Sequence, residues 1–142
     1  MDVLNPILLI LHLLGLAMGL AVSFSGMVLQ GLMATATPGD RAVLARFPPR
    51  MSIVGHIGLG LLWTTGLALT FTKWGGFDML PWQFDVKLAA VVLLTIAVAY
   101  ITRQMKRAAP GDMAAIARIQ KVGKIAFLLA LTAVVFAVLT FD

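Results

Sequence analysis

Residues 3–39 read VLNPILLILHLLGLAMGLAVSFSGMVLQGLMATATPG and contain no Asp, Glu, Lys or Arg. A helix needs about 20 apolar residues to cross roughly 30 Å of hydrocarbon, and this stretch exceeds that length with room for a loop. Three further runs behave alike, since residues 51–72, 88–102 and 125–141 also lack acidic and basic side chains. The last two reach a full crossing by including Val86 and Lys87 in one case and Val122 to Lys124 in the other. The reading is therefore an all-α integral membrane four-helix bundle, a single domain over residues 1–142. Its spans are expected at about residues 6–30, 51–72, 84–103 and 122–141.

The basic residues between these runs fall on alternate sides. Arg41, Arg46 and Arg50 lie in the first loop, and Arg103, Lys106, Arg107, Arg118, Lys121 and Lys124 surround the third. Only Lys73 and Lys87 belong to the other side. Lys and Arg near a span resist translocation, and acidic residues count for little. This predicts a multi-pass protein of the cell inner membrane with the first and third loops cytoplasmic and both termini extracytoplasmic. It also accounts for the formal charge of +5 without nucleic acid, whose recognition needs basic side chains on a folded surface with aromatic or polar partners. The first run is read as a retained span despite the cleavage-like Ala34-Thr35-Ala36, because Asp2 and no basic residue precedes it and it is about twice a signal h-region.

Boundary chemistry agrees with four helices. Asn5-Pro6 is expected to open the first, Pro48-Pro49 the second and Pro81 the third, and Pro110-Gly111-Asp112 reads as a turn whose Asp caps the fourth. The fourth helix is expected to begin at the cytoplasmic membrane surface, with Ala114, Ala115, Ile116 and Ile119 facing lipid or protein and Arg118 and Lys121 facing headgroups. Trp74 and Trp82 flank the second loop at the depth indoles prefer.

At about 100° per residue, His12, Gly15, Gly19, Ser23 and Gly26 share one narrow strip of the first helix. Small residues let helices approach closely in lipid, so this strip faces the bundle and carries His12 inward. A second strip, Ser52, His56, Gly60, Trp63 and Thr70, runs along the next helix. Gly and Ser at helical spacing serve packing alone in many bundles, and both strips are open to that reading.

Ionisable groups inside a membrane are costly and mark functional candidates. Here they are His12, His56 and Lys87. At 1.5 Å per residue, His12 lies roughly 8 to 12 Å below one surface and His56 roughly 8 Å from the other. That depth difference of about 10 to 14 Å argues against both imidazoles holding one haem. His12 and Lys87 are better matched in depth, with Asp85 nearby as a counter-charge. Lys87 can alternatively snorkel to the interface, and His56 can bond a backbone carbonyl or Ser52. His12 is far from any loop and needs a partner; imidazole is also the usual protein ligand of b-type haem. Trp63 and Thr64, at similar depth, are candidates for lining a pocket beside it.

Other chemistry is missing from the sequence. It has no Cys, which removes disulfides, thiolate nucleophiles, cysteine-ligated clusters and covalent c-type haem. There is no metalloprotease, nucleophile-elbow or phosphate-loop motif. The Met residues are dispersed and read as packing.

Leu11-His12-Leu13-Leu14, then Trp63-Thr64-Thr65-Gly66-Leu67, then Trp82 followed by Val86-Lys87-Leu88, resemble the HemJ-type protoporphyrinogen oxidases and the wider group of small four-helix proteins that includes CopD-like copper-resistance domains. The resemblance covers most of the chain in layout and these short motifs in identity. It implies His12 as a haem b ligand binding the iron and Lys87 as its essential catalytic partner, with redox chemistry on a porphyrin or quinone. The chain departs from the family where a Trp beyond the first His and a Tyr-Pro-Arg segment are usual, reading Ala17-Met18-Gly19 and Ser25-Gly26-Met27-Val28. Two other functions remain open. One is a non-catalytic accessory subunit of a larger membrane complex or a homo-oligomer; the other is a small-solute or metal permease, which the lack of acids within the spans disfavours.

Overall fold

A computed structural model describes residues 3–109 and 111–141, leaving aside the side chains of Met79 and Phe141. Among these residues all regular structure is helical, with α1 (Leu4–Thr35), a short α2 (Pro38–Leu44), α3 (Phe47–Thr72), α4 (Trp82–Arg107) and α5 (Met113–Phe141). A 3-10 turn at Phe77–Met79 precedes α4. The four long helices are long and apolar enough to cross a bilayer, as a multi-pass membrane protein requires. They overrun the expected spans at six of eight ends, α3 and α5 finishing where expected at Thr72 and Phe141; α1 has 32 residues, about 48 Å at 1.5 Å per residue.

Helix ends follow local chemistry, with two differences from expectation. Pro48 and Pro49 open α3 and Pro81 caps α4, and Asp112 caps α5 by accepting from the Ala115 amide at 3.0 Å. Pro110, expected in that turn, lies outside the described residues. Asn5 does not cap α1, which starts after Val3 without a side-chain cap. Its amide oxygen instead accepts from Thr72 Oγ1 at 2.8 Å, tying the start of α1 to the end of α3. The second difference is α2, where Thr37 Oγ1 accepts from the Asp40 amide at 3.3 Å and donates to the Asp40 carboxylate. This reciprocal cap satisfies a free amide at the helix start.

The bundle consists of two antiparallel hairpins. α1 packs along α3 and α4 along α5; α1 touches α5, and α3 meets α4 mainly through long side chains. The α1–α3 seam is closest at Gly15 and Gly58. A Cβ on Gly15 would lie 2.8 Å from the Gly58 carbonyl oxygen, and one on Gly58 would lie 2.9 Å from that of Gly15. The α4–α5 seam uses alanine, with Ala90, Ala97, Ala126, Ala130 and Ala133 all buried. Leu9, Ile10, Leu13, Ile53, Leu93, Leu128 and Val138 point outward. Small residues inside and large aliphatic ones outside reverse the soluble pattern, and suit a solvent that is itself apolar.

The nine basic residues of the first and third loops are all exposed and gather at one end of the bundle. At the other end Gly75 and Gly76 take positive φ values of 72° and 123°, folding the 73–81 loop so that the Gly76 amide donates to the Thr70 carbonyl at 3.0 Å. Phe77 thereby reaches Phe71 and Phe84, at ring separations of 5.7 and 6.1 Å.

Candidate functional site

His12 leaves α1 one turn before the Gly15–Gly58 contact and enters the bundle beside α3. Its Nδ1 lies 2.9 Å from Thr65 Oγ1. The Thr65 hydroxyl has one proton, directed to the Leu61 carbonyl, so the Thr65 oxygen accepts and His12 donates through Nδ1–H. The network thus assigns the tautomer, and Nε2 keeps its lone pair. Thr65 is 4% exposed, which holds this arrangement away from water. Gly66 makes the space: a Cβ there would come within 3.2 Å of His12 Cε1 and 3.6 Å of Nδ1.

Lys87 enters from α4, which lies diagonally opposite α1. Its ammonium is 5.8 Å from the Phe84 ring centroid, and Phe84 lines the same small cavity as Gly66, the residue that lies against the His12 ring. His12 from α1 and Lys87 from α4 thus approach the same part of the bundle. Asp85 is exposed on the first turn of α4, about 200° round the helix from Lys87.

The remaining candidates are distributed around them. Trp63 turns toward α4 and donates from Nε1 to Thr95 Oγ1 at 3.0 Å, which donates on to the Val91 carbonyl at 2.8 Å. With Thr70, Phe77, Phe84 and Leu88 it walls a cavity of about 40 Å³ that borders Gly66. Thr64 is exposed, its hydroxyl donating to Gly60 at 2.8 Å within its own helix. Its neighbour Thr65 is the residue that meets His12.

His56 sits nine residues before Thr65 on α3, about 14 Å along the axis. It is exposed, with Nδ1 2.6 Å from the Ser52 carbonyl and Nε2 3.3 Å from Thr102 Oγ1 on α4. The ring nitrogen facing that carbonyl is the protonated one, so His56 is anchored to its own helix through Nδ1–H, and its axial distance from Thr65 sets it apart from His12. Among the described residues no group of three or more His, Cys, Asp or Glu could gather a metal ion.

The chain matches no family model, no curated protein and no solved structure. The site is therefore read from its own geometry.

Proposed function

We propose that this chain is a four-span protein of the cell inner membrane, both termini extracytoplasmic, that binds haem b through His12 and takes part in redox chemistry on a porphyrin or quinone. The observation that carries the reading is the His12–Thr65 bond. A ligating histidine characteristically donates its other ring N–H to a neighbouring acceptor, which fixes the tautomer and aims the free nitrogen at the metal. Thr65 does this for His12, accepting from Nδ1–H, which leaves on Nε2 the lone pair that axial ligation requires. Haem supplies a one-electron iron couple tuned by its axial ligand and by burial.

The chain's own groups have separable tasks in this proposal. Thr65 holds the imidazole and Gly66 gives it room. Lys87 presents an ammonium suited to a porphyrin carboxylate or a quinone oxygen. Phe77, Phe84 and Trp63 keep water from the region between α3 and α4. The cavity of about 40 Å³ is well below the roughly 300 Å³ at which cofactor pockets begin, so a macrocycle must use the half-buried side of His12 rather than that cavity. The same small volume favours a second reading, an accessory subunit whose interior only packs.

Absorption of the purified full-length protein separates the two. A Soret band retained in His56→Ala and lost in His12→Ala supports the haem reading; a colourless protein after expression with ample haem overturns it and leaves the subunit reading.

A further inference from the structure

The lipid-facing side of the α4–α5 hairpin carries a groove of about 350 Å³. Leu93, Ile96 and Tyr100 of α4 form one wall and Val122, Ile125 and Leu129 of α5 the other, with Ala97 as the floor. The walls are open to the surroundings, Ile96 at 59% and Leu93 at 52% exposure, whereas Ala97 is at 8%. The alanine makes the groove, because a larger residue there would fill it. From Leu93 to Tyr100 it runs about 10 Å at 1.5 Å per residue, a substantial part of one leaflet of a hydrocarbon core about 30 Å thick.

The groove's end toward the third loop is cationic. At 100° per residue, Arg107 lies within the arc defined by Leu93, Ile96, Ala97 and Tyr100, and Arg118 within that of Val122, Ile125 and Leu129. Arg103 and Lys121 fall within about 40° of the edges of those arcs. All four are exposed; Arg103, Arg107 and Arg118 sit about 5 to 10 Å beyond the last apolar wall residue of their helices, and Lys121 directly adjoins Val122. An apolar channel continued by guanidinium and ammonium groups has the polarity of a phospholipid in reverse: acyl chain along the groove, phosphate at the arginines. Arg favours phosphate oxygens through paired N–H donors, and basic pockets at helix ends recognise anionic headgroups.

We propose that the α4–α5 groove and Arg107 and Arg118 form a binding site for an anionic phospholipid, with Arg103 and Lys121 flanking the headgroup. This site is separate from His12 and does not depend on haem.

Native mass spectrometry of the full chain released from detergent tests it, using phosphatidylglycerol and phosphatidylcholine of identical acyl chains. The parent is expected to retain phosphatidylglycerol preferentially. Arg107→Gln with Arg118→Gln should lower that retention roughly five-fold for each cation removed, and Ile96→Trp should weaken both lipids by blocking the channel. Arg41→Gln with Arg46→Gln removes the same charge elsewhere at the basic end and is expected to leave the preference intact. Both arginine pairs are exposed, and matching circular dichroism spectra establish that the variants are folded. Equal retention of the two lipids overturns the proposal, as does an equal loss in the Arg41/Arg46 control. So does an Ile96→Trp protein that keeps its lipid while a dimer becomes a monomer, which would make a second copy the occupant.

Discussion

An imidazole inside a bundle is defined by what its two nitrogens face, and the half-buried His12 holds Thr65 of α3 through Nδ1. Thr65→Val keeps the volume at that partner while leaving Nδ1–H without its acceptor. An unsatisfied buried donor costs about 1 to 3 kcal/mol, so thermal unfolding in detergent should show that loss, and haem retention, where present, should fall with it. Thr64→Val removes a hydroxyl bonded within its own exposed turn and is expected to change neither. The inward placement of His12 was legible from its small-residue strip, and the Ser52 bond of His56 from its depth. Thr65 was not, because neighbouring Thr64 and Thr65 differ only by 100° of rotation, and absolute helix phase requires knowing which neighbour each face meets. The strip Ser52, His56, Gly60, Trp63 and Thr70 contains the side of α3 directed at α4, where Trp63 and His56 bond. The side that meets α1, Gly55, Gly58, Leu62 and Thr65, lies roughly 120° away.

Among the elements, the α1–α3 hairpin depends on backbone contact and the α4–α5 hairpin on alanine. At Gly58 an added methyl would meet the Gly15 carbonyl and Met18 Cβ, both at 2.9 Å, and neither is the free end of a flexible chain. Gly58→Ala is therefore expected to separate the helices at a cost of about 1 to 3 kcal/mol, typical of overpacking. Gly60→Ala, two positions on, meets nothing within 4 Å and should be neutral or stabilising by up to about 1 kcal/mol through helix propensity. A melting series of both variants in one detergent checks the sign. The four long helices were readable from uncharged length alone, since lipid forces backbone hydrogen bonds to close within each span. Element ends were less so. The Thr37–Asp40 cap that starts α2 was present in the sequence as Thr-x-x-Asp, hidden within what reads as a polar loop, while Asn5 has the composition of a cap and is used instead to bind Thr72.

For the whole molecule, the segregation of charge is the property that sets orientation. Nine basic residues occupy one end, offset there by Asp40 and Asp112 alone, and only Lys73 and Lys87 belong to the other half. The transfer cost of basic flanks predicts that the rich end stays cytoplasmic, which would place the lipid groove's arginines against the inner leaflet and the His12–Lys87 pair toward the outer side. The absence of native Cys makes the test direct, because each introduced thiol is the sole target of a maleimide. Asp78→Cys lies in the exposed turn between α3 and α4, and Ala45→Cys is exposed between Arg41 and Arg46. In intact cells a membrane-impermeant maleimide is expected to label Asp78→Cys fully and Ala45→Cys only after lysis. The reverse pattern would invert the topology and move the imidazole and ammonium to the cytoplasmic half. Neutralising the nine basic residues of that end in groups should then show which of them enforce orientation. Arg103, Lys106 and Arg107 flank the third span directly, so their joint replacement by Gln is expected to produce a mixed labelling pattern before removal of the more distant Arg41 does.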